Sequence, residues 1–216
     1  MDSTAKNLFR ASQASVGVRD FIPGRIMSAE DLASYVRSHR AAYDSLHAGN
    51  ADITRADPAI RAAFRRLKAL YPPAVFPDIY FVIGRHNSGG TSTDHGLLIG
   101  AEMYPDPMAL PPIVSHELIH FQQHGPSRTL LEQSFNEGAA DFLGEMISGA
   151  QINSAKQQYG LAHEAELWKE FSARFDDKNT SPWLYGPAPG GRPKNSRSFQ
   201  IPSAKRTRYV SSARRA

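Results

Sequence analysis

Two histidines four residues apart, with a glutamate directly after the first, constrain this chain more than any other feature: His116, Glu117 and His120 within VSHELIHFQQH, residues 114–124. On a helix, residues four apart lie about 40° from one another and one turn along, so two imidazoles can meet one ion. Glu117 is turned about 100° from His116, so it borders the same face without competing easily for the ion. From there a carboxylate can take a proton from a water acidified by a metal. The pattern therefore needs a helix, which Pro111 and Pro112 introduce and which Gly125 and Pro126 are expected to end.

The chain has no cysteine. Any metal must then be held by imidazole and carboxylate, and disulfide stapling is excluded. A third ligand is available in NEGAAD, where Glu137 and Asp141 again stand four apart on one helix face. An acidic pair of this kind is by default a solvated face. Here Gly138, Ala139 and Ala140 leave the stretch without bulk, as suits close approach of two helices.

Charge bears on partners. A sequence pI near 9.4 invites a nucleic-acid reading. The basicity is local, however: residues 178–216 hold nine Lys/Arg and no acid, whereas residues 1–177 hold 16 Lys/Arg against 21 Asp/Glu. A mildly acidic body does not offer a groove for phosphates, so nucleic acid is not an expected partner. No apolar run approaches the length of a membrane span, and MDSTAKNLFRASQ lacks the apolar stretch of an export signal. The chain as given is expected to be soluble and cytoplasmic.

The 216 residues, 41% hydrophobic, divide into an arm without firm period (1–27), one domain (28–185) and a basic tail expected to be disordered (186–216). Helical periodicity starts at Ser28 as N-cap and stops at Gly49, with Leu32, Tyr35, Val36, Tyr43 and Leu46 forming one stripe. A second helix runs from a cap at Asp57 to about Leu70, ended by Pro72 and Pro73. DIYFVIG and GLLIGAEM read as a hairpin or two neighbouring strands joined by the glycine-rich link RHNSGGTSTDH. Thr129 and Glu132 form a capping box for a helix through about Ser148. A last amphipathic helix fits residues 153–175, with Leu161, Leu167, Trp168, Phe171 and Phe175 on its apolar side.

HELIH followed by NEGAAD resembles the glutamate zincins, the thermolysin-like metallopeptidases. More closely, YFVIGRHNSGGT, GLLIGAEM, VSHELIHFQQ, FNEGAADFLGE and HEAELW together resemble the gliding-motility lipoprotein B family and related predicted zinc-dependent proteases, over about residues 70–185. The resemblance implies an α+β, mostly helical zincin-like fold with a small antiparallel sheet. It also implies Zn2+ held by His116, His120 and Glu137, with Glu117 as general base and Asp141 supporting His116. Members of that group usually begin with an export or lipoprotein signal, so an exported or envelope-associated location is the alternative the resemblance brings.

Depth along the two helices supports the same ordering. If a short turn makes them antiparallel neighbours, Glu137 lies about 12 Å below the turn at 1.5 Å per residue, level with the histidines. Glu132 is too shallow and serves the cap, Asp141 is one turn deeper beside His116, and Glu145 is too deep. The expected function is hydrolysis of peptide bonds in a peptide or protein substrate laid along strand 79–83 or 97–103. The alternative is a non-catalytic zincin-like accessory module of the cell envelope. His86 and His95, which flank the glycine-rich loop, are candidate substrate or oxyanion contacts. So, by analogy with zincins, are Tyr159, His163 and Tyr185.

Overall fold

The computed structural model describes residues 7, 10, 11, 13–152 and 154–184. Tyr185 and the tail 186–216 lie outside the described residues, as does Asn153. The architecture is α+β and mostly helical, with one three-stranded sheet.

The sheet runs in the order β1 (Ile79–Val82), β3 (Gly96–Gly100), β2 (Gly90–Thr93). It is mixed, which corrects the expected antiparallel sheet: β2 pairs antiparallel with β3, but β1 pairs parallel with it, Ile79 opposite Leu97. The link read as a loop contains a strand, GTST, whose small polar residues carry no apolar alternation yet suit an edge. β3 is apolar and buried at every position, as a central strand flanked on both faces must be. Its two faces serve different layers: Leu97 and Ile99 join the main core with Leu110, Val114 and Leu118, whereas Leu98 packs with Phe21, Ile26 and Val82.

Phe21 and Ile26 belong to the segment expected to be an arm, and they correct that expectation. A helix over Val16–Phe21 passes into one wide turn, Ile22–Ile26, whose Met27 N–H donates to the carbonyl of Ile22 at 2.7 Å. Together they cover the back of the sheet, and Phe21 is fully buried. Six residues of helix followed by a π-type turn are too short and too irregular to leave a 3.6-residue period.

Two helices expected to be continuous are each broken at a histidine. The first divides at His39 into Ala29–Ser38 and Arg40–Gly49, the last at His163 into Ser154–Ala162 and Glu164–Ser172. Both breaks are built alike: the imidazole stacks on the tyrosine four residues earlier, Tyr35 at 4.0 Å and Tyr159 at 3.7 Å between ring centres. Its Nδ1–H donates to that tyrosine's carbonyl at 2.9 Å. That carbonyl also keeps its backbone bond from the histidine N–H, at 3.0 and 3.1 Å, and the helix breaks because the histidine backbone itself leaves helical geometry, at φ −125° for His39 and −121° for His163. Of the apolar side proposed for residues 153–175, Phe171 is buried while Leu161 and Trp168 are exposed. The helix Asp57–Leu70 is capped by Ala56 without a side-chain bond; Asp57 pairs instead with Arg61 at 2.7 Å.

The histidine helix spans Leu110–Gln122, ending three residues before the expected Gly125. Its residues from Leu110 to Ile119 are all buried, because it lies between the sheet and the acidic helix Leu130–Ser148. The acidic helix opens on the expected capping box: Thr129 Oγ1 accepts from Glu132 N–H, and Glu132 accepts from Thr129 N–H. Gly144 sets the spacing of the pair. A Cβ there would stand 3.1 Å from the backbone nitrogen of His116, so any side chain would push the helices apart. Among the described residues, no helix is long and apolar enough to cross a membrane.

Candidate metal centre

His116 and His120 stand one turn apart on the histidine helix and turn their Nε2 atoms towards each other, 2.9 Å apart. From the facing helix, Oε2 of Glu137 lies 3.6 Å from the first and 3.5 Å from the second. A point about 1.9 Å from all three atoms lies at the centre of that triangle. That radius is close to zinc's usual ligand distances of about 2.0–2.2 Å, so these three residues could hold such an ion with little rearrangement. Among the described residues, these three form the one group of His, Cys, Asp and Glu that could hold a metal ion. The donor set, two imidazoles and a carboxylate, suits zinc.

The outer nitrogens are held as well. Nδ1 of His120 donates to Oε1 of Gln123 at 2.8 Å, and Gln123 in turn donates through Nε2 to the carbonyl of Asn136 on the acidic helix at 2.9 Å. Nδ1 of His116 lies 2.8 Å from Oδ1 of Asp141, with the oxygen displaced from the N–H axis, so the contact is an ion-pair approach and not an aligned hydrogen bond. Both partners favour a proton on Nδ1 and a lone pair on Nε2, the state that ligates. Gln123 did not stand out in the sequence, although His-x-x-Gln is the i, i+3 spacing that lets the two side chains meet.

Without a metal, two Nε2 lone pairs at 2.9 Å repel, and a proton must sit between them. Burial opposes charging His116, but Asp141, Glu137 and Glu117 outweigh it and lift its pKa to about 10. His120 is also raised, against its burial, with Glu137 the main opposing cause. Glu137 would be raised by burial, yet the two imidazoles hold it down to about 2. The three groups thus form a charged cluster, with Glu137 ion-paired to both imidazoles and the two Nε2 atoms in contact.

Glu117 is 6% exposed and stands outside the ligating group. Burial raises its pKa, partly offset by His116, His120 and Arg25. Strand β2 closes over it: a Cβ on Gly90 would lie 2.5 Å from its Oε1. One residue earlier, a Cβ on Gly89 would lie close against the hydroxyl of Tyr104. Burial, with Glu117 and Glu102 nearby, pushes that phenol's pKa up, so it remains a hydrogen-bond donor. The glycine pair in SGGTST is thus what lets the edge strand approach Glu117 and Tyr104, a role its composition alone did not announce.

The other candidates lie elsewhere. His95 pairs through Nδ1 with Asp20 at 2.6 Å and ties the 93–95 turn to the back layer. His86, at φ 52°, packs its ring near Tyr35 and Tyr43, and its backbone N–H donates to Glu102. Tyr159 and His163 are stacked on each other at the helix break. Glu132 serves the cap, and neither it nor Glu145 belongs to the ligating group. No family model, curated protein or solved structure matches the chain.

Proposed function

We propose that the chain is a zinc-dependent metallopeptidase of the zincin type, in which His116, His120 and Glu137 hold the metal and Glu117 is the general base. The observation that carries this reading is the meeting of two Nε2 atoms and one carboxylate oxygen at ligand spacing, beside a buried carboxylate that is not itself a ligand. Zinc bound there would supply Lewis-acid chemistry, polarising a carbonyl and acidifying a water.

The protein's own groups account for the remaining steps. Glu117 takes the proton of the attacking water and returns it to the leaving amine, and burial favours the protonated state it must adopt in between. Asp141 and Gln123 hold the ring orientations throughout. An extended peptide pairs with the free edge of β2, which abuts Glu117. Of the two strands expected to receive substrate, 97–103 does not survive, because β3 is paired on both sides and residues 101–103 form a helical turn; 79–83 contains β1, the opposite edge of the sheet, and β2 is preferred here because it abuts Glu117.

The test is turnover of unfolded casein and a quenched-peptide library by zinc-loaded protein, alongside Glu117→Gln. The reading expects hydrolysis by the wild type, and metal without hydrolysis in the variant. Full zinc with no hydrolysis by the wild type would replace it with a non-catalytic metal-binding module.

A further inference from the structure

The segment that carries β2 is held at both ends by the back layer. At the near end the carbonyl of Arg25 accepts from Arg85 Nε at 3.1 Å and from Asn87 Nδ2 at 3.0 Å. At the far end the hold comes from Asp20, on the helix Val16–Phe21. Its Oδ2 accepts from Nδ1 of His95 at 2.6 Å and from Oγ1 of Thr93 at 3.3 Å, and Thr93 Oγ1 in turn accepts from the His95 N–H at 3.3 Å. Three residues thus close a ring of hydrogen bonds around one carboxylate oxygen.

The hairpin does not supply this hold itself. β2 and β3 are joined by Asp94 and His95 alone, and neither has the positive φ of the primed turns that keep two twisted strands together. Other two-residue turns splay the strands they join, so the far end of β2 relies on Asp20. The groups that depend on it follow from the phase of the ladder. The Gly100 N–H donates to the carbonyl of Gly89 at 3.2 Å, and the antiparallel pairing alternates from there. Gly89, Thr91 and Thr93 therefore turn their backbone groups to β3, while Gly90 and Ser92 turn theirs to the edge that has no neighbour among the described residues. Gly90 abuts Glu117, and Ser92 stands about 7 Å further along the strand, next to Thr93.

We infer that Asp20 is a positioning residue for the substrate strand: through Thr93 and His95 it keeps Ser92 in line with Gly90, so that the site prefers peptides long enough to pair with both. The preference rests on the metallopeptidase reading, but the hold of Asp20 on β2 does not. A peptide residue that exchanges backbone bonds with Gly90 lies beside Glu117, and the residue two along exchanges bonds with Ser92 in the same way. Asp20 touches neither the substrate nor the reacting atoms. Its loss should weaken the binding of long peptides without slowing the step at Glu117.

Two measurements decide it. The first needs no substrate: amide hydrogen exchange of zinc-loaded wild type and Asp20→Ala, read residue by residue by NMR. The Thr91 and Thr93 N–H groups should lose at least about tenfold of their protection in Asp20→Ala, while Leu118 and Ile119 on the histidine helix keep theirs. Asp20→Asn, which retains an acceptor, should keep part of the protection. Unchanged protection at Thr91 and Thr93, or an equal fall at Leu118 and Ile119, overturns the positioning role. The second is turnover of quenched peptides that share one scissile pair, either bare or extended by three residues on one side or the other. In the wild type, extension on the side that reaches Ser92 should lower KM by about tenfold, the worth of one or two hydrogen bonds, with kcat little changed. Asp20→Ala should abolish that gain and leave kcat and the bare peptide's KM unchanged, and His95→Ala added to it should cost no more. No gain from extension in the wild type, a gain that survives in Asp20→Ala, or an equal loss on bare and extended peptides overturns the inference while leaving the metallopeptidase reading intact. If no peptide is cleaved at all, the metallopeptidase reading fails, and the exchange measurement alone decides the role of Asp20.

Discussion

Gln123 holds His120 from behind: its Oε1 accepts from the imidazole Nδ1 at 2.8 Å, while its Nε2 reaches the acidic helix at Asn136. One side chain thus orients the ring of a candidate ligand and ties together the two helices that carry the candidate ligands. Gln123→Ala should lower zinc affinity by roughly 10–100-fold without abolishing binding. Asp141→Ala should fall in the same range, since the Asp141 carboxylate stands 2.8 Å from the outer nitrogen of His116 and favours its proton there by charge. Competition titration against a chromogenic chelator reads both, and unchanged affinity in both would show that the outer partners are incidental.

Gly90 has no room for a side chain, because a Cβ would lie 2.5–2.8 Å from three atoms of the Glu117 carboxylate arm. Gly90→Ala should therefore displace Glu117, leaving one metal per molecule and reducing kcat by at least about tenfold. Hydrolysis at wild-type rate would mean that Glu117 is not held where the structure places it.

The metal-free centre should make stability depend on pH in a definite direction. His116 is raised from its ordinary value of 6.5 to about 10, so its contribution is fully present below about 6.5 and is lost as pH climbs towards 10. Glu137 is lowered to about 2, so its contribution is present above its ordinary value near 4.5 and is lost as pH falls towards 2. Between these limits the chelator-treated protein should be most stable. Zinc must displace the proton from His116, so its affinity should keep rising with pH through the neutral range, above the point near 6 where an ordinary imidazole would level off. Melting curves of metal-free protein at pH 5.5, 7.5 and 9.5 check the first statement; a flat midpoint across them would contradict it.

The back layer should be needed for stability. Phe21 is fully buried against Leu98 and Val82, so Phe21→Ala should cost about 3–5 kcal/mol in urea unfolding. A loss below about 1 kcal/mol would return residues 1–27 to the status of an arm.

The contrast between these regions explains what was legible. The histidine pair, Glu137 and Asp141 could be placed because each pair is local, four residues apart on one helix, and the two helices are joined by a short turn. The capping box at Thr129 and Glu132 announced its helix for the same reason. Nothing local marked β2, whose GTST becomes a strand only by pairing with β3 across a tight turn. The wide turn Ile22–Ile26 has no period to detect, and it is held by side chains 60 and 62 residues away in sequence, Arg85 and Asn87, which donate to the carbonyl of Arg25. The breaks at His39 and His163 escaped notice because a Tyr-x-x-x-His stack looks, in sequence, like two more residues on a helix face.

The most direct test of the account is the zinc content, by elemental analysis, of purified wild type and of Glu137→Ala, each dialysed against trace zinc at pH 7.5. The account predicts one zinc per wild-type molecule and essentially none in Glu137→Ala, because that carboxylate closes the ligand triangle. A metal-free wild type, or a full complement of zinc retained by Glu137→Ala, would contradict it.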